Sequence, residues 1–255
     1  MQNKKIIIAN WKMNPDSFRE AEELFNGVKK QANKLKKTKV IICPPCVFIN
    51  KLKQLNKKNI ISLGTQDCFR QDKGAWTGMI SAKMLKNAGA DFVIVGHSER
   101  RGLGDNDQIV NQKIKLALKN KLNAILCIGE TDRDEDGKFF SFLENQLLSA
   151  LSDIGKKFVK NILIAYEPIW AISAASKKVI TVDELQQISI FIRKILMDKY
   201  GAKSFEAVKV LYGGSVDFRN AEELICGGGV DGFLVGRKSL VAERFNKILE
   251  IVEKI

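Results

Sequence analysis

The chain holds one histidine in 255 residues, His97, and its next neighbour is Ser98. Gly96-His97-Ser98-Glu99-Arg100 also lacks the second glycine of a nucleophile elbow, which argues against hydrolysis by that serine. No apolar run approaches membrane-spanning length. The run Ile6 to Ile8, behind Lys4 and Lys5, is too short for a signal peptide, and no small-residue cleavage site follows it. A cytoplasmic protein with no membrane partner is expected. Aromatic residues make up only 8% of the chain, and few sit among the basic ones, so little is available to stack bases. The net charge of +13 is spread as single and paired lysines and arginines, with no basic arm. No nucleic-acid partner is expected, and the positive field would instead raise the encounter rate of a small anionic substrate. The five cysteines are an odd number in a chain without an export signal, which points to reduced thiols. Cys43-Pro-Pro-Cys46 has C-x-x-C spacing, but no second pair completes a zinc site, and no metal is expected. No Pro/Gly/Ser linker or charge block divides the chain, so one domain over residues 1–255 is expected, with a sizeable core.

What is present is a beat of about thirty residues in which a short apolar strand precedes an amphipathic helix. Strands are predicted at Lys5 to Ala9, Val40 to Cys43, Ile60 to Gly64, Phe92 to Val95, Ala124 to Ile128, from Ile162 to an end on Glu167, Val208 to Tyr212 and Phe233 to Val235. Helices are predicted from about Ser17, near Val47 to Leu55, from Ser81, from Asp107, from about Phe139 to Leu151, and near Asp183 to Tyr200. Two more follow the last two strands. On the final helix, Val241, Phe245, Ile248 and Val252 share one side. Alternation of this kind implies parallel pairing with right-handed crossovers. Eight such units in 255 residues favour a closed (β/α)8 barrel, whose chemistry sits in the loops after the strands.

Those loops hold the chemistry-bearing residues. Asn10 and Lys12 follow the first strand, His97 and Glu99 the fourth, Gly129 and Glu130 the fifth, and Glu167 the sixth. Pro168 gives no N–H to a sheet, so pairing should stop at Glu167, with a stiff Pro-Ile-Trp leading into a polar loop. Gly213, Gly214 and Ser215, with Gly236 in the next loop, suit an anion site built from backbone N–H groups. Gly227, Gly229 and Gly232 satisfy G-x-G-x-x-G, but they lie between a helix and a strand, the reverse of the dinucleotide order. A carboxylate base, an imidazole donor, a fixed cation and a phosphate anchor together specify proton abstraction beside a carbonyl in a phosphorylated compound. No cofactor is needed.

The chain resembles the triosephosphate isomerase family. Asn10-Trp-Lys-Met-Asn14, Gly96-His-Ser-Glu-Arg-Arg101, Ala165-Tyr-Glu-Pro-Ile-Trp-Ala-Ile172 and Tyr212-Gly-Gly-Ser-Val216 match that family's motifs in order, across essentially the whole chain. The resemblance implies a TIM barrel that interconverts dihydroxyacetone phosphate and glyceraldehyde 3-phosphate. Under it, Glu167 shuttles the proton, His97 polarises the carbonyl, Asn10 and Lys12 orient and stabilise the oxygens, and Glu99 stands near that network. It further implies phosphate contacts at Ser173, Ser215, Gly236 and Arg237, and a homodimer formed through the loop Thr65 to Gly78.

Three departures from the family pattern qualify that expectation. From Ser173 onward the lid sequence loses its usual glycines and is two residues longer, so its hinge should behave differently. Gly236-Arg-Lys-Ser-Leu240 stands where Gly-Gly-Ala-Ser-Leu is usual, and Arg237 keeps its N–H contact only if its φ is negative. Met79 replaces a glutamate after Thr-Gly, removing a charge expected near Arg100 and predicting a looser dimer. The altered lid leaves an alternative, a catalytically impaired barrel that serves as a phospholigand-binding or interaction protein.

Overall fold

Alternation along each strand sorts its side chains into two sets with different partners. In the computed structural model, which describes residues 4–172 and 179–255, β1 (Lys5–Asn10) sends Ile6 and Ile8 into one apolar cluster and Ile7 and Ala9 into another. The first cluster fills the barrel, with Ile41, Ile94, Ile125, Leu163, Leu211 and Leu234. The second lies between strands and helices and includes Phe25, Ile114, Leu143, Ile188 and Phe245.

The remaining elements keep the strand-helix beat. They are α1 (Phe18–Ala32), β2 (Thr38–Cys43), α2 (Ile49–Leu55), β3 (Ser62–Thr65), α3 (Ala82–Asn87), β4 (Phe92–Val95), α4 (Ser98–Gly102) and α5 (Asp107–Lys119). The second half comprises β5 (Asn123–Ile128), α6 (Lys138–Ala150), β6 (Ile162–Tyr166), α7 (Ile169–Ile172), α8 (Val182–Tyr200), α9 (Ser204–Ala207), β7 (Lys209–Tyr212), α10 (Ala221–Gly227), β8 (Gly232–Val235) and α11 (Ala242–Lys254). Each strand pairs in parallel with the next, and β8 pairs with β1, so the eight-stranded barrel is closed as expected from the sequence. In the register, Ile8 lies beside Ile41 and Ala165 beside Leu211.

Local signals set the helix ends. Ser17, Ser81 and Asn106 cap α1, α3 and α5 by accepting a first-turn N–H. Thr181 and Glu184 form a reciprocal capping box at α8. Helix α5 buries Val110, Ile114, Ala117 and Leu118 on the face expected for them.

Several expectations are corrected. Ile60 and Ile61 precede β3, because the Asn56 side chain hydrogen-bonds both the N–H and the C=O of Ile61, taking its backbone out of the sheet. Thr65 belongs to β3 and not to the loop that follows it. Strand β7 begins at Lys209, one residue late. Val241 is exposed, since it is the residue before the first turn of α11. Helices α4, α7 and α9 are additional to the predicted set, and the segment after Pro168 is thus helical through Ile172.

The loop from β3 to α3 is anchored by charge. The Lys113 ammonium, buried, lies 2.7 Å from Asp67 and 2.5 Å from Asp105, and Arg100 Nε lies 3.0 Å from Asp67. This cluster joins that loop to α4 and α5.

Candidate active site

The inward set of each strand, continued one step past its end, reaches the C-terminal mouth of the barrel. Leu163 and Ala165 face inward, so Glu167 does too. The same step of two residues leads from Ile8 to Asn10, from Cys127 to Gly129, from Leu211 to Gly213 and from Leu234 to Gly236. Asn10, Glu167, Gly213 and Gly236 surround a cleft of about 790 Å³, which also takes in Lys12, His97, Glu99, Ser215 and Arg237, whereas Gly129 packs beneath it against the Glu167 backbone. Of the candidates named from the sequence, Asn10, Lys12, His97, Glu99, Glu167, Gly213, Gly214, Ser215, Gly236 and Arg237 line it, Gly129 and Glu130 do not, and Ser173 lies outside the described residues, as do lid residues 174–178.

Glu167 is buried at the centre of this group. One carboxylate oxygen lies 3.4 Å from His97 Nε2, and the other accepts the Ser98 N–H at 3.2 Å. Its own N–H donates to the Ile128 carbonyl at 2.7 Å. Two glycines let neighbouring strands approach it. A Cβ on Gly213 would fall 2.8 Å from Glu167 Cγ, and one on Gly129 would fall 1.8 Å from the Glu167 carbonyl oxygen. Gly129→Ala must therefore displace the backbone that holds Glu167, and it is expected to cost about 1–3 kcal/mol, read as a lower urea midpoint.

His97 is the residue before the first turn of α4, and its ring accepts the Glu99 N–H at Nδ1, 3.2 Å away. An accepting Nδ1 carries no proton, which leaves the ring with a proton on Nε2, directed at Glu167 and the cleft. The first two amides of α4 are thus used, that of Glu99 on the His97 ring and that of Ser98 on Glu167.

Lys12 has φ of 54°, a left-handed conformation uncommon for a residue with a long side chain. Its N–H donates to Asn10 Oδ1 at 3.0 Å, and its C=O accepts from Gln66 Nε2 at 2.7 Å. Such strain persists where surrounding contacts over-determine it, commonly at functional sites. The ammonium meets Glu99 at 2.5 Å, and Glu99 Oε2 lies 3.7 Å from His97 Nδ1. Cys127, beneath Glu167, has its thiol pushed well above the ordinary range, chiefly by burial and then by that carboxylate, so it stays protonated.

Arg237 is absent from the residues of positive φ, so the condition for presenting its N–H beside Gly236 is met. Tyr166 and Trp170 both donate to Glu130 Oε1 at 2.8 Å, which fixes the segment just after Glu167 to the β5 loop.

Sequence reasoning missed three contributors. Ser98 acts through its backbone N–H, and its side chain was the misleading signal. Gln66 holds Lys12 from a loop with no catalytic motif. Arg244, on α11, lines the same cleft, and only the closing of the barrel brings it there.

The comparisons with known proteins point to one family. The family model described as triosephosphate isomerase matches residues 5–252. A triosephosphate isomerase of Alkaliphilus oremlandii is 41% identical over 248 residues, covering 96% of this chain and 98% of the relative. That of Chloroherpeton thalassium is 38% identical over 252 residues, covering 98% and 99%. The crystal structure of triosephosphate isomerase from Bartonella henselae superposes with a TM-score of 0.84 at 34% identity, covering 97% of this chain and 98% of that one. By sequence along nearly its full length and by fold, this chain belongs to the triosephosphate isomerase family.

Proposed function

We propose that the protein interconverts dihydroxyacetone phosphate and D-glyceraldehyde 3-phosphate as an intramolecular oxidoreductase of glycolysis and gluconeogenesis, acting without a cofactor. The observation that carries this reading is the convergence of Glu167, His97 and Lys12 on one cleft beside Gly213, Gly214 and Gly236. The phosphate binds backbone N–H groups of that glycine cradle and of Ser215 and Arg237. Ser173 is proposed as a further contact, from the resemblance alone.

With the phosphate anchored, Glu167 removes a proton from the carbon beside the carbonyl, and the electron pair moves to the carbonyl oxygen. His97 Nε2–H hydrogen-bonds the developing oxyanion, and Lys12 and Asn10 hold the oxygens. Glu99 positions Lys12. Glu167 then returns the proton to the neighbouring carbon of the enediol(ate). No observation favours the alternative of an inactive phospholigand-binding barrel.

The chain acts as one domain and as a homodimer in the cytoplasm. Large apolar side chains are exposed in the loops after β1 to β4, namely Met13, Val47, Trp76, Met79, Ile80 and Leu103, and they support a subunit interface. Arg100 is already met by Asp67 within its own chain, so Met79 does not leave it unpaired. Sedimentation at micromolar concentration is expected to give a dimer, and a monomer alone would contradict this. No helix among the described residues is long and apolar enough to cross a membrane.

An assay that couples glyceraldehyde 3-phosphate consumption to reduction of dihydroxyacetone phosphate tests the activity. Sustained turnover is expected, and its absence in the folded protein would refute the proposal.

A further inference from the structure

The cleft is richer in cations than one phosphate requires. Lys12 is neutralised by Glu99 at 2.5 Å. Lys238 is held by Asp217 at 3.2 Å, and Asp217 also binds Arg219 at 3.0 Å. Those contacts, with the Arg219 hydrogen bond foremost, keep the Asp217 carboxyl well below its ordinary range, so Lys238 stays paired. Two further arginines line the cleft, Arg237 and Arg244, and neither has an ion-pair partner among the described residues. Arg237 follows Gly236 directly, so its side chain leaves the backbone at the edge of the glycine cradle. Arg244 comes from the first turn of α11. A cleft of about 790 Å³ lies toward the upper end of the range for ligand pockets, about 300–1,000 Å³, and a triose phosphate fills only part of it.

We propose that Arg237 and Arg244 form a second anion subsite beside the glycine cradle, which takes the second phosphate of a short bisphosphorylated compound. Guanidinium groups suit this task because they bind phosphate oxygens through paired N–H donors, and both are free to do so. Such a compound anchors one phosphate at the cradle, lays its second against the arginines, and competes with the triose phosphate. The inference rests on the cradle binding the first phosphate, and it makes the enzyme sensitive to small bisphosphates.

Titration calorimetry with propyl phosphate and with propanediol bisphosphate tests it, because the two probes differ by one phosphate. The bisphosphate is expected to bind the wild type about tenfold or more tightly, as charge-assisted hydrogen bonds to one added group allow. That advantage should fall to about twofold or less in Arg244→Gln and in the Arg237→Gly/Arg244→Gln double variant. Lys157→Gln, on an exposed lysine remote from the cleft, serves as a control for the overall field and should keep the full advantage. Thermal melts check that the variants remain folded. Equal binding of the two probes to the wild type would overturn the subsite, as would an advantage that survives in the double variant or falls equally in Lys157→Gln. Loss of binding by both probes would overturn it as well. The coupled assay is independent of these outcomes, since sustained turnover alongside equal binding removes the subsite and leaves the isomerase.

Discussion

Glu167→Gln is expected to lower kcat by on the order of 10³- to 10⁴-fold, the upper part of the range for a positioned general base. The amide keeps the shape of the side chain, and its oxygen can still accept the Ser98 N–H that Glu167 accepts at 3.2 Å. What it cannot do is take a proton from carbon. Since the phosphate is bound by other groups, KM should change little, the pattern of an interaction made only in the transition state. Glu167→Asp gives a graded comparison. It retains the carboxylate but withdraws it by about one ångström, which should cost roughly 10² in kcat. Steady-state kinetics in both directions separate the two. Equal losses in Gln and Asp would point to lost packing in place of lost basicity.

His97→Asn is expected to lower kcat by about 10²- to 10³-fold, the effect of removing one donor to a developing oxyanion. Asparagine is among the preferred residues before a helix, so it can take over the bond that His97 Nδ1 accepts from the Glu99 N–H. The melting temperature should therefore move little while turnover falls. A large drop in melting temperature with near-normal kcat would assign His97 to structure.

Much of this was legible in the sequence because the strand alternation runs on into the loops. Once Leu163 and Ala165 are inward, Glu167 must be inward too. The parts that were not legible share a physical reason, which is that their conformation is decided by neighbours remote in sequence. Helix α4 has only five residues, too few to show a helical period, and begins after a histidine, outside the usual capping residues. The left-handed turn at Lys12 is imposed by Asn10 and by Gln66, which is 54 residues away. Ile60 reads as strand by composition, yet the Asn56 side chain occupies the backbone of the next residue, and pairing starts at Ser62, opposite Ile41. Arg244 sits on the polar side of a helix whose apolar face was clear, and where that polar side points depends on β8 meeting β1.

The departures in the phosphate region are resolved unequally. Arg237 retains the backbone conformation that lets its N–H serve the site, so the lost glycine leaves that donor in place. Its side chain then adds a charge that the usual glycine lacks.

The most direct test of the central claim is proton NMR of the isomerisation in deuterium oxide, with wild type and Glu167→Gln side by side. A base that holds the proton on a carboxylate exchanges it with solvent, so the wild type should interconvert the two triose phosphates and place solvent deuterium on carbon, and the variant should do neither at a comparable rate. Product formed with its carbon-bound hydrogen fully retained, or deuterium incorporation undiminished in Glu167→Gln, would contradict the account.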